Sequence, residues 1–283
     1  MSETRDGQMG ADPRFDGSAD DGSEPLPVEL RLRAEHELLV RHGFARVRDL
    51  SDRFGVSTVT IRHDLQQLEE RQLARRVHGG AMPAAGSRIE RSFEEVMTVQ
   101  ADQKAAIARA AADLITSGES LLLDVGTTTA ALADELVARR DLADLTVFTN
   151  GLKIALALEA AHPRFAIVVT GGTLRPKQHS LVEPLAAPML DSLRVDTVFI
   201  GCNGVDADGG VTNINLPEAA VKRSMIGAAA RCVVVADSNK LGSRALASVC
   251  AIDDVDVVIT DRGADADTVD AIRSKGVDVI IAE

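Results

Sequence analysis

From Ser120 onward the sequence alternates short apolar runs with helix-forming stretches, and that alternation leaves few folds open. Leu121–Val125, Thr146–Thr149, Phe165–Thr170, Thr197–Ile200, Cys232–Ala236, Val255–Thr260 and Val277–Ile281 read as strands. Between them, Ala130–Ala138, the stretch from Asn150-Gly151 to about Ala160, Leu185–Leu193, Pro217–Ala229 and Asp265–Ser274 read as helices. Parallel strands need a crossover connection, and a helix is the common one. This part of the chain is therefore predicted to form a mostly parallel sheet covered on both faces, a Rossmann-like α/β domain. An alanine-rich helix over Lys104–Ile115, ended by Ser117 and Gly118, precedes it.

In such sheets ligands bind outside the carboxyl ends of the strands. Asp124-Val125-Gly126-Thr127-Thr128-Thr129 lies between a strand and a helix start. Free backbone N–H groups at a helix N-terminus favour an anion. Gly126 permits close approach, and the threonine hydroxyls add donors. The plainer reading is that Thr128 or Thr129 caps the helix. The loop lacks the Gly-Lys-Ser/Thr of a Walker A motif, and the chain has no G-x-G-x-x-G fingerprint. Further polar loops follow at Thr149-Asn150-Gly151, Thr170-Gly171-Gly172-Thr173, Gly201 to Asp206, and Asp237-Ser238-Asn239-Lys240. Each alone is an ordinary turn sequence. Together with Glu218 and Lys222 they suggest a polar, phosphate-seeking pocket.

The N-terminal part has a different period. In Arg46–Ala81, Val47, Leu50 and Phe54 share one helical face, and Gly55 can end that helix. Ser57 can cap a second helix in which Ile61, Leu65 and Leu68 form one stripe. Val59, Arg62, His63 and Gln66 fall on the other side. Arg71, Arg75, Arg76, Val77, His78, Gly79 and Gly80 then read as a small basic β-wing. This fits a helix-turn-helix whose second helix enters the major groove. Periodicity alone leaves an ordinary helical hairpin with a charged face equally open. A preceding helix is expected over about Pro27–Arg41, with Leu30, Leu38 and Leu39 inward and Gly43 past its end.

Charge is unevenly spread. The net charge of −12 makes the chain a poor nonspecific nucleic-acid binder, but Arg62, Arg71, Arg75 and Arg76 form a local basic patch. The first residues are acidic and Gly/Ser-rich and lack a signal-peptide core. No apolar run is long enough to span a bilayer. Cys202, Cys232 and Cys250 are scattered without metal-type spacing and read as reduced thiols, so a cytoplasmic protein without metal or cofactor is expected. The expected organisation is a disordered acidic tail over 1–25 and a winged helix-turn-helix DNA-binding domain over 26–82. A linker over 83–92 follows, then an effector-binding and oligomerisation domain over 93–283.

FGVSTVTIRHDLQQLEE followed by ARRVHGGA closely resembles the winged helix-turn-helix of the DeoR family of bacterial transcription regulators. DVGTTT, TNGLKIA, TGGTLR, FIGCNGVD, GGVT, EAAVKRSMI and ADSNKLG resemble that family's sensor domain, from about Phe93 to Asp261. The resemblance implies a regulator, read here as a repressor, that binds double-stranded operator DNA. Its DNA contacts would come from Ser57, Val59, Thr60, Arg62, His63, Gln66, Arg75, Arg76 and His78. It also implies a sensor domain similar to ribose-5-phosphate isomerase that binds a phosphorylated sugar or related metabolite. The implied effector contacts are Asp124, Gly126, Thr127, Thr128, Asn150, Gly171, Gly172, Asp206, Glu218, Lys222 and Lys240. A homo-oligomer is expected, because symmetric operator sites double the contacts of one small reading head. The chain departs from the family pattern at His63, where Arg is usual, at Gln72, where Gly is usual, and at Glu183.

An active sugar-phosphate isomerase carrying a DNA-binding domain is the main alternative. Glu218, Asp206 and Lys222 or Lys240 would nominally supply acid, base and oxyanion donor. Such isomerases carry a Gly-Ala-Asp-Glu-Val-Asp loop, however, where this chain has Asn203 and Gly204 in place of two carboxylates. Binding without turnover is the expectation, and no catalytic residue is assigned. An interaction domain without a small ligand leaves the loop set unexplained.

Overall fold

The computed structural model describes residues 26–42, 44–71, 73–77, 79–83 and 90–283. The expected tail over 1–25, Gly43, Gln72, His78 and linker positions 84–89 lie outside the described residues. The chain divides into two compact units, Met1–Ala84 and Ala85–Glu283.

The first unit runs α1 (Val28–His42), β1 (Ala45–Arg46), α2 (Val47–Phe54), α3 (Thr58–Glu70), β2 (Ala74–Val77) and β3 (Gly80–Pro83). Gly55 takes the left-handed conformation, φ 62°, and so ends α2 without the Cβ clash another residue would meet. The Ser57 hydroxyl accepts from the Thr60 amide at 3.1 Å and starts α3. β1 and β2 flank β3 in an antiparallel sheet whose β2–β3 turn passes through Gly79, φ 81°. Leu32, Leu38, Leu39, Leu50, Ile61, Leu65, Leu68, Ala74 and Ala81 form the core. Leu30, expected inward, is exposed, and Leu32 takes the buried place. The reason is periodic: Leu32 lies two turns before Leu39, whereas Leu30 falls on the opposite side of the helix.

One polar group interrupts that core. Arg31 donates to both Asp64 oxygens, at 2.6 and 3.3 Å, and both residues are buried. Glu35 is sealed beside them. Burial, then the neighbouring Asp64, pushes its carboxyl up to about 8.

The second unit opens with α4 (Phe93–Met97) and α5 (Ala101–Ala112). Then follow β4 (Ser120–Leu123), α6 (Thr127–Ala138), β5 (Leu145–Thr149), α7 (Leu152–Leu158) and β6 (Phe165–Val169). A hairpin, β7 (Thr173–Arg175) and β8 (Ser180–Val182), precedes α8 (Ala186–Asp191) and β9 (Val195–Ile200). The remainder is β10 (Gly204–Asp206), β11 (Gly210–Asn213), α9 (Leu216–Gly227), β12 (Ala229–Val235), β13 (Ala247–Cys250), β14 (Val257–Asp261), α10 (Ala266–Arg273) and β15 (Asp278–Ala282). Seven parallel strands form one sheet in the order β15-β14-β12-β9-β4-β5-β6. The expected α/β fold is present. Apolar clusters cover both faces, one built on Val198, Ile200 and Val234, the other on Leu121, Leu123 and Phe199.

Two small antiparallel sheets were read as loops and are additions to the expected pattern: the β7–β8 hairpin and β10-β11-β13. The short helix α4 likewise falls where a linker was expected to end. From β4 the chain winds outward through β5 to β6, then returns to the other side of β4 as β9 and winds outward again. The winding direction therefore reverses between β4 and β9, which is where open sheets of this kind carry their ligand crevice, at the carboxyl ends of the strands.

Candidate functional site

In the first unit the two faces of α3 separate. Ile61, Leu65 and Leu68 point into the core, while Val59, Arg62, His63 and Gln66 are exposed, Val59 at 70%. The side chains on this face already touch one another. His63 Nδ1 lies 3.1 Å from Gln67 Nε2, and Gln66 Nε2 donates to Glu70 at 3.0 Å. Ser57 and Thr60 share a hydroxyl contact at 2.9 Å. Arg75 and Arg76 are exposed on β2. Arg71, counted in the basic patch, forms an exposed ion pair with Glu29 at 2.7 Å. Exposed pairs of this kind contribute little to stability, so Arg71 can exchange Glu29 for a phosphate at small cost. His78 lies outside the described residues.

In the second unit the loops after β4, β5 and β9 meet at the crevice. Asp124 is completely buried, and its Oδ2 accepts from the Gly201 amide at 3.1 Å and from Lys222 Nζ. Lys222, also buried, donates to the Gly201 carbonyl at 2.9 Å. Burial pushes the Asp124 carboxyl up to about 6, against the pull of Lys222, while the charge of Glu218 adds to the rise. Asp124 Oδ1 is buried without a hydrogen-bond partner, as is Thr170 Oγ1 in the loop after β6. Such open acceptors are uncommon in a native interior and call for a partner. Asn150 ties the second loop in, its Oδ1 accepting from the Val125 amide at 2.8 Å.

The start of α6 completes this cluster. Gly126 precedes it, and no side chain caps its N-terminus. Thr129, read as a potential cap, instead donates its hydroxyl to the Gly126 carbonyl at 3.0 Å. The first turn holds no acidic residue. Thr127 and Thr128 thus stand over uncompensated N–H groups beside a buried cation, which is favourable for an anion.

Glu218, in the first turn of α9, is nearly buried and fully engaged. Its Oε1 accepts from Ser180 at 2.7 Å and from Arg175, and its Oε2 from Asn213 at 3.4 Å. Arg175 reaches on to Glu90 at 2.6 Å. The loop Gly171-Gly172 packs under the hairpin. A Cβ on Gly172 would lie 2.0 Å from the Val182 carbonyl, and its φ is 138°. That glycine therefore has a packing reason independent of any ligand. Asp206 does not join the cluster. Its Oδ1 accepts from the amides of Asp208 and Gly209, and from Arg244 at 2.6 Å, which closes the β10–β11 turn.

Lys104 was not singled out in the sequence, where it reads as one position of an alanine-rich helix. It is 3% exposed and donates to the Val96 carbonyl at 2.6 Å. Burial pushes its amine down to about 8. Asp237, Lys240 and Arg91 lie near enough for their charges to act on it, so Lys240 belongs to the same neighbourhood. Arg175 and Ser180 were missed too, because their hairpin was read as a loop. Burial pushes the Cys202 thiol up to about 12, which leaves it an inert neutral group.

A cavity of about 330 Å³ lies elsewhere, between α8 and α9 at Leu190, Asp191, Arg194, Arg223 and Ser224. The described residues contain no cluster suited to a metal ion and no helix long and apolar enough to cross a membrane.

Comparison with known proteins follows this division. The DeoR C-terminal sensor domain matches residues 99–262, and the DeoR-like helix-turn-helix domain matches residues 31–84. The HTH-type transcriptional regulator GlpR of Haloferax volcanii is 36% identical over 255 residues, covering 90% of this chain and 98% of that protein. The putative aga operon transcriptional repressor of Escherichia coli O157:H7 is 36% identical over 245 residues, covering 86% and 90%. The glycerol-3-phosphate regulon repressor of Escherichia coli K12 is 32% identical over 225 residues, covering 80% and 87%. These relatives are named as regulators or repressors and not as enzymes. Ribose 5-phosphate isomerase A of Methanocaldococcus jannaschii aligns with TM-score 0.37 at 19% identity over 50% of this chain and 54% of its own, a likeness too slight to carry an activity across.

Proposed function

The chain belongs to the DeoR family of transcriptional regulators and is not an enzyme, and from that premise we propose that it is a repressor released from its operator by a small phosphorylated metabolite. In this reading Val59, Arg62, His63 and Gln66 meet base edges in the major groove. Ser57, Thr60, Arg75, Arg76 and His78 meet the backbone. The effector's phosphate sits on the N–H groups of Gly126, Thr127 and Thr128. Its hydroxyls meet Asp124, Asn150 and Glu218, with Gly171, Gly172, Lys222 and Lys240 closing around it. Asp206 is withdrawn from this set because its carboxylate closes a turn.

The observation that carries the reading is Asp124, a buried carboxylate with one oxygen held by Lys222 and the other open, beside an uncapped helix start. A polyol phosphate supplies what each group lacks: hydroxyl donors for the open oxygen, an anion for the helix start. The name of the glycerol-3-phosphate regulon repressor supports a ligand of this class. Copies of the chain would associate through the larger unit, presenting two reading heads to a two-fold operator.

The test is a thermal-shift screen with glycerol 3-phosphate, pentose and hexose phosphates, their unphosphorylated parents and inorganic phosphate. A phosphorylated member at about 100 times its Kd should add roughly 2.7 kcal/mol of stability. The same compound should weaken binding to an operator selected from random duplexes. Stabilisation by the unphosphorylated parents alone would remove the phosphate cradle from the proposal.

A further inference from the structure

The β7–β8 hairpin has two sides, and both are held. On one side it grips the crevice. Leu181 donates its amide to the Asn150 carbonyl at 2.8 Å, Leu152 donates to the His179 carbonyl at 2.9 Å, and Ser180 donates to Glu218. On the other side it clasps residues 90–94, which lie just past Ala84, the last residue of the DNA-binding unit. Phe93 donates its amide to the Lys177 carbonyl at 2.9 Å, and Gln178 Nε2 donates to the Arg91 carbonyl at 2.5 Å. His179 Nε2 lies 2.7 Å from Glu94, and the Phe93 and His179 rings meet edge to face at 5.9 Å. Arg175 spans the hairpin, with one guanidinium nitrogen on Glu218 and the other on Glu90.

We propose that Arg175 is a positioning residue that sets the Glu218 carboxylate in the effector site and, through the same guanidinium, ties the occupancy of that site to the segment leading in from the DNA-binding unit. The inference rests on the effector reading given above. The physical ground is that one cation is divided between two carboxylates, Glu218 at 8% and Glu90 at 21% side-chain exposure. A charge-assisted bond in such a place is strong, and its partners compete for it. A ligand hydroxyl donating to Glu218 weakens the hold of Glu218 on Arg175 and leaves Glu90 the stronger partner. That changes how residues 90–94 are held, without contact between ligand and segment. By linkage the reverse holds as well: what is done to Glu90 is felt at Glu218.

Amide hydrogen exchange tests this without any effector, so a failed ligand screen and a failed coupling give different results. In Glu218→Gln, which leaves Glu90 the stronger partner of Arg175, the amides of residues 90–97 should exchange on the order of tenfold slower while the global melting temperature stays close to wild type. In an Arg175→Gln background the same substitution should add nothing. Arg175→Lys, which keeps the charge but cannot bridge two carboxylates, should fall between. Faster exchange in Glu218→Gln, equal slowing with and without Arg175, or no change in either, would overturn the proposal. Glu90→Gln gives a second reading should Glu218→Gln fold poorly. It should slow exchange of amides 213–221 by a similar factor, and faster or unchanged rates there would equally overturn it.

Discussion

In the N-terminal unit the side chains proposed to meet DNA stand on an exposed helix face, and the core behind them is mostly leucine. In the C-terminal unit Asp124, Lys222 and Glu218 are buried among the strand ends, so the groups proposed to meet the effector are also part of the interior. A reading surface must reach into a groove of fixed shape, so its contacts project and leave the fold behind them untouched. A small-ligand site must replace water around a charged molecule, so its contacts are drawn inward and hold one another when no ligand is bound. Recognition and stability are separable in the first unit and entangled in the second.

The largest effect expected is in the entangled site. Asp124→Leu or Lys222→Met alone should cost about 3–5 kcal/mol, because each leaves a buried charge without its partner. The double variant should recover most of that in urea denaturation yet lose the phosphometabolite response. Two single losses that simply add would mean that the pair is not energetically coupled.

In the reading unit the core should respond almost as strongly. Leu65→Ala should cost roughly 2–5 kcal/mol, being fully buried in α3. A change below about 0.5 kcal/mol would show that the leucine layer is not what supports the reading face.

Glu35 blurs the contrast, since it is a buried ionisable group in the reading unit. Its folded value, about 8, lies above the ordinary 4.5. Between those values the folded unit keeps a proton that the unfolded chain releases. Stability should therefore be fully present below about 4.5 and fall as pH rises toward about 8, by on the order of a few kcal/mol. Glu35→Gln should flatten that slope in melts taken across the range. An unchanged slope would assign it to other groups.

The smallest effect on the fold belongs to the reading face. Arg62→Ala should alter stability by less than about 0.5 kcal/mol and weaken operator binding by about 1–3 kcal/mol in a sequence-selective way. A stability loss as large as that of Leu65→Ala would erase the distinction between the two faces of α3.

The same division governs what could be read from the sequence. The stripe Ile61, Leu65, Leu68 and the opposed Arg62, His63, Gln66 are local, so a helical period separates them. The order of strands and helices was legible for the same reason. Leu30 was misread because α1 was not phased against Leu39. The ion pairs Arg31–Asp64 and Asp124–Lys222 join positions 33 and 98 apart in the chain. No local pattern announces such a pair. The β7–β8 hairpin was hidden because its strands have three residues each and its turn carries Pro176, Lys177 and Gln178. Lys104 was hidden because burial, not residue type, sets it apart from its helix neighbours.

The reversal between β4 and β9 also bears on the order of folding. Leu121 pairs locally with Val147 on β5, but with Thr197 on β9 only after a long stretch of chain has been placed. The crevice lies on that second seam, so the cradle around Asp124 cannot exist until the distant pairing has formed. A ligand that recognises the finished crevice therefore finds nothing to hold in the early, locally paired chain. Its stabilisation should emerge as slower unfolding, with the refolding rate unchanged, so the proposed effector would act as a kinetic lock on a structure that must first close without it.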